Sequence, residues 1–130
     1  MLKIKYFFIQ YYKTLIVSLF IFLASMIPGN EVNKVNWLSI PNIDKIIHLV
    51  MYFLLAMIMV YDVSHAKENL SSKRIFLIST LLPIFYGALL EILQLTLTNS
   101  RSGDFFDFVF NSIGVILAII LWSSLRNLKS

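Results

Sequence analysis

The chain has 130 residues, 58% of them hydrophobic and only 14% charged, with 11 Lys or Arg against seven Asp or Glu. A soluble domain carries about 25% charged residues, so a water-soluble globular fold is excluded. Disorder is excluded too, since it needs low hydrophobicity and high net charge. Cysteine is absent, which removes a disulfide framework, a thiolate nucleophile and any Cys-based metal site.

An all-α integral membrane protein remains: a single domain, 1–130, forming a four-helix transmembrane bundle. Uncharged runs at 14–30, 46–61, 75–90 and 108–125 approach or reach the ~17–25 residues that cross a bilayer as a helix. The expected spans are about 8–28, 45–62, 75–97 and 105–125. Their apolar runs are continuous, not alternating as membrane β-strands require.

The first span follows Lys3 and Lys5 and has the apolar stretch of a secretory signal. No small-x-small cleavage site follows it, and Tyr6, Phe7, Phe8, Tyr11 and Tyr12 resemble an interfacial belt, so a retained helix is expected. Lys and Arg then set the orientation. Eight (Lys3, Lys5, Lys13, Lys67, Lys73, Arg74, Arg126, Lys129) fall on one side of the four spans, and three (Lys34, Lys45, Arg101) on the other. The positive-inside rule places both termini in the cytoplasm. That topology also explains the pI of about 9.4, with no need for a nucleic-acid partner.

Polar residues gather on three helices. In the second span Asp44, Lys45, His48 and Tyr52 open the helix, with Asp44, His48 and Tyr52 on one face. In the third, Glu91 and Gln94 are spaced i, i+3 near the outer end. Arg101 precedes Asp104, Asp107, Asn111 and Gly114, whose offsets of 0, 3, 7 and 10 form one stripe on the fourth span. At 1.5 Å per residue, Glu91, Asn111 and Tyr52 all lie ~9 Å below the outer boundary. The inner half holds almost no polar side chains beyond Ser and Thr.

Each residue also has a purely structural role open to it. Asp44 and Asp104 suit helix N-caps, and Lys45 and Arg101 suit interfacial snorkelling. His48 suits hydrogen-bonded packing as well as ligation. Gln94, Asn111 and Gly114 suit helix–helix packing, and Pro83 is expected to kink the third span. Glu91 stands apart, because a carboxylate at that depth costs a few kcal/mol and must be paired or protonated.

Asp44-Lys45-x-x-His48-x-x-x-Tyr52, Glu91-x-x-Gln94 and Arg101-Ser102-Gly103-Asp104-x-x-Asp107-x-x-x-Asn111-x-x-Gly114 together resemble the VanZ-like membrane proteins over about 44–121. Phe110 and Ala118 depart from the small residue and the glycine common at those family positions. The resemblance implies a small multi-pass protein of the bacterial cytoplasmic (inner) membrane. Its founding member is associated with resistance to the glycopeptide teicoplanin.

Two function classes compete. The first is a non-enzymatic envelope factor whose outer-leaflet pocket binds a membrane lipid or lipid-linked cell-wall precursor. Asp44, Lys45, His48, Tyr52, Glu91, Gln94, Arg101, Asp104, Asp107 and Asn111 would line it, and Lys45 and Arg101 would contact an anionic head group. The second is an intramembrane enzyme acting on a lipid-linked phosphate or sugar, with Glu91, His48 and Asp107 as candidate catalytic residues. Only under this alternative is a cofactor expected, a hard cation such as Mg²⁺ held by Asp104, Asp107, Glu91 and Asn111. One spanning His and no Cys argue against zinc, and no metal site is assigned. A proton or ion pathway through Glu91 finds no continuation in the apolar inner half. The binding role is favoured, because no complete nucleophile–base–orienter set is visible.

Overall fold

The structure is a computed structural model that describes residues 1–27, 31, 34, 35, 40–97 and 104–128. Four helices account for most of them: α1 (Leu2–Ser25), α2 (Ile43–Ser64), α3 (Ser72–Leu97) and α4 (Phe105–Asn127). All four are long and apolar enough to cross a membrane. They fall on the expected spans, with α1 starting earlier, at Leu2. No strand occurs among the described residues.

Contacts fix an alternating arrangement. Thr14, midway along α1, meets Asp62 near the end of α2. Ser25 at the end of α1 meets Gln94 near the end of α3. Lys45 at the start of α2 meets Asp104, which precedes α4. The bundle interior is filled by Ile21, Tyr52, Leu55, Ala56, Val60, Leu90, Val115 and Ile119, while Phe85, Leu95, Ile116 and Ile120 face outward. An outward apolar surface of this kind suits lipid.

Helices α2 and α4 approach most closely. A Cβ placed on Gly114 would overlap the Leu49 carbonyl oxygen and lie 3.1 Å from Phe53 N. Ala56 and Ala118 are both completely buried. Small residues at a seam allow backbones to touch where lipid offers no hydrophobic drive. The close-packing role expected of Gly114 is what the structure shows.

Helix α3 continues through Pro83. The local break in helical geometry lies instead in α1, at Tyr11 (φ −110°, ψ 16°). Leaving helical φ/ψ interrupts the i→i−4 ladder and releases backbone N–H groups just beyond. One of them, Thr14 N, donates to Asp62 Oδ2 at 3.0 Å, and the Thr14 hydroxyl donates to the same oxygen at 2.8 Å.

Candidate functional site

The polar stripes predicted on three helices converge at one end of the bundle. His48 from α2, Glu91 from α3 and Asp107 from α4 are all buried, and one donor atom from each lies within 4.8 Å of the other two. Asn111 comes from the next turn of α4. Its Oδ1 lies 3.0 Å from His48 Nδ1. An amide oxygen only accepts, so in this pairing His48 Nδ1 is the donor.

Tyr52, 1% exposed, packs one turn beyond His48. Its ring meets α3 at Gly87, where a Cβ would lie 3.1 Å from Tyr52 Cε1 and 3.3 Å from Asn111 Nδ2. Gly87 therefore provides the room in which Tyr52 and Asn111 reach α3. Gln94 is equally buried, but its Nε2 donates 2.8 Å to Ser25 O, so it also ties α3 to α1.

Lys45 forms the mouth. Its Nζ lies 3.3 Å from Asp104 Oδ2, 3.7 Å from Asp44 Oδ2 and 3.9 Å from Asp107 Oδ1. Asp104 also caps α4, accepting from Phe106 N at 2.9 Å. That backbone bond, with Lys45 in support, holds the Asp104 carboxyl below its usual range. Beside the mouth an open cavity of about 620 Å³ is lined by Asn42, Lys45, Ile46, Asp104, Phe106 and Phe110. Drug-sized ligands occupy pockets of roughly this size.

Three helices thus deliver nine of the expected residues to one end: Asp44, Lys45, His48, Tyr52, Glu91, Gln94, Asp104, Asp107 and Asn111. Asp104 Oδ1 accepts from Phe106 N and Asn111 Oδ1 meets His48, while Glu91 and Asp107 cluster with His48. Arg101 lies outside the described residues.

The expectation that the inner half is nearly free of polar groups beyond Ser and Thr fails at Asp62, which is 4% exposed on α2. Helix α1 carries further polar links. Tyr86 Oη donates 2.6 Å to Ser18 O, and Ser25 O accepts from Gln94. Thr14, Ser18, Ile21 and Ser25, at offsets 0, 4, 7 and 11, mark the inward face of α1. That periodicity was available in the sequence.

A helical bundle with an apolar exterior, four helices of spanning length and ionisable side chains gathered inside one end is that of a multi-pass membrane protein with a buried polar cluster. The chain belongs to the VanZ/LLP1 family, whose model matches residues 4–126. This match extends through α1, beyond the 44–121 covered by the motifs. Comparisons with curated proteins and with solved structures return no match.

Proposed function

We propose that this is a cell-envelope factor of the cytoplasmic membrane whose polar site takes up the head group of a lipid or lipid-linked cell-wall precursor from the outer leaflet. The observation that carries the reading is the convergence of His48, Glu91 and Asp107 beside the open cavity at Lys45 and Asp104. Ionisable groups are expensive at membrane depth and mark binding or transport sites there. A head group entering past Lys45 stays within reach of the bilayer that holds its chains. Two of the family's motif residues, Asp107 and Asn111, occupy the inner wall of this site.

The reading extends to the association of the family's founding member with resistance to teicoplanin, a glycopeptide with an acyl tail. Expression in a susceptible Gram-positive host should raise tolerance to teicoplanin more than to vancomycin, which lacks the tail. Asp107→Asn should remove the shift at unchanged membrane abundance. In parallel, protein in nanodiscs of total bacterial lipid should retain a defined lipid by native mass spectrometry, and Asp107→Asn should lose it. Equal shifts for both drugs, or lipid retention indifferent to Asp107, would overturn the reading. Chemical conversion of the retained lipid would place the chain among enzymes instead.

A further inference from the structure

The charge at this end has the wrong sign for direct capture of a phosphate. Asp44, Asp104 and Asp107 surround Lys45, Glu91 lies beside Asp107 and His48, and Lys34 at the same end is paired with Glu31; even with Arg101, counted from the sequence, the acids stay in excess. Lys45 is already held among three carboxylates. An anionic head group therefore needs a cation supplied with it or before it.

We propose that His48, Glu91 and Asp107 form a binding site for a divalent cation, through which the phosphate of the head group is held. The bridging half of the proposal rests on the head-group reading above; the cation site itself stands without it.

The geometry is that of a site held from three helices. Metal–ligand bonds of ~2.0–2.3 Å put neighbouring ligand atoms ~3 Å apart and opposite ones ~4.4 Å apart. The observed set lies within 4.8 Å, so small rotations of three side chains close it. His48 is oriented as metal-bound imidazoles commonly are. Its Nδ1 is engaged by a neighbouring carbonyl, here Asn111 Oδ1 at 3.0 Å, so Nε2 is the atom that would ligate once it carries no proton. Independently, Asp107 is 5% exposed and its buried Oδ1 has no hydrogen-bond donor within reach. Lys45 Nζ stands 3.9 Å from that oxygen, beyond hydrogen-bond reach.

The donor set also selects among metals. Carboxylates suit Mg²⁺, Ca²⁺ and Mn²⁺, whereas imidazole suits Zn²⁺ and the transition metals. One imidazole with two carboxylates fits Mn²⁺, rather than the all-oxygen Mg²⁺ set expected from sequence, which took Asp104 and Asn111 in place of His48. Three protein ligands leave positions open for phosphate oxygens.

Mn²⁺ is the probe. Protein in nanodiscs of zwitterionic lipid, stripped with EDTA and titrated with Mn²⁺ alone, should bind one ion per chain, read as loss of the free-ion electron paramagnetic resonance signal. Pulsed spectra of the bound ion should show coupling to one imidazole nitrogen. His48→Gln should abolish that coupling, and Asp107→Asn should weaken binding at least tenfold, while Glu68→Gln at the opposite end leaves it unchanged. Wild-type protein that binds no Mn²⁺ at millimolar concentration, or binds it with no nitrogen coupling, overturns the site. The latter test needs no variant to fold. Lipid retention is then measured with Mn²⁺ and with EDTA. Retention lost in EDTA supports the bridge, and equal retention overturns it. Mn²⁺ binding without any lipid retention sinks the head-group reading and leaves the cation site standing.

Discussion

Asp62 and His48 are both buried polar residues of α2, and each is satisfied by a different helix. Asp62 does the work of an N-cap at a distance. The break at Tyr11 frees backbone N–H groups of α1, and the carboxylate accepts from Thr14 N and from its hydroxyl. A buried donor left without its acceptor costs about 1–3 kcal/mol. Asp62→Ala should therefore lower the unfolding free energy in detergent by about that amount, whereas Asp62→Asn, which keeps an acceptor, should cost less. Thr14→Val made together with Asp62→Ala should recover part of the loss. Additive costs in that double-mutant cycle would show that the two residues are not coupled. The sequence hid this pair because Asp62 falls one residue beyond an uncharged run and 48 residues from its partner. The polar stripes of α4 and α2 were legible, by contrast, because their spacing alone puts Asp107, Asn111 and Gly114, or His48 and Tyr52, on one face. Which side chain each would meet was not legible: the i, i+3 spacing of Glu91 and Gln94 does not say that Gln94 bonds Ser25 while Glu91 nears His48 and Asp107.

The pairing of α2 with α4 decides whether the site exists, because His48 rides on one helix and Asp107 and Asn111 on the other. Gly114 sits directly on the α2 backbone, with Leu49 and Phe53 against it. Any side chain there must push the helices apart, and overpacking of a close seam costs about 1–3 kcal/mol. Gly114→Val should lower the detergent unfolding midpoint and also weaken Mn²⁺ binding, since it widens the His48–Asp107 gap without altering a ligand. Ile113→Ala, on the neighbouring exposed position, should leave metal binding unchanged. Intact Mn²⁺ affinity in Gly114→Val would mean that the seam does not set the site geometry. Element positions were readable from hydropathy because a bilayer demands long uninterrupted apolar helices. The behaviour of Pro83 was not, since a membrane helix can absorb proline when neighbours re-satisfy the freed groups. Nor was the break at Tyr11, which has neither proline nor glycine to announce it.

At the scale of the whole molecule, the contacts make α1 and α3 run one way and α2 and α4 the other, so every loop alternates sides. The Thr14–Asp62 bond and the Lys67 ammonium over the Tyr6 ring put the start of α1, the 65–71 connection and the start of α3 at one end. The candidate site lies at the other. Lys and Arg divide eight to three between those ends, and cytoplasmic loops carry the excess. The site should then open toward the outer leaflet. Because the chain contains no cysteine, single-cysteine variants report topology without background. Lys34→Cys should react with a membrane-impermeant maleimide in intact cells, and Glu68→Cys only after lysis. The reverse pattern would place His48, Glu91 and Asp107 in the cytoplasmic leaflet. Teicoplanin anchors from outside and could not reach them there, so the drug-tolerance part of the proposal would fall. A cation site would survive the inversion, because its three ligands are fixed by the packing of α2, α3 and α4, whichever way the bundle points.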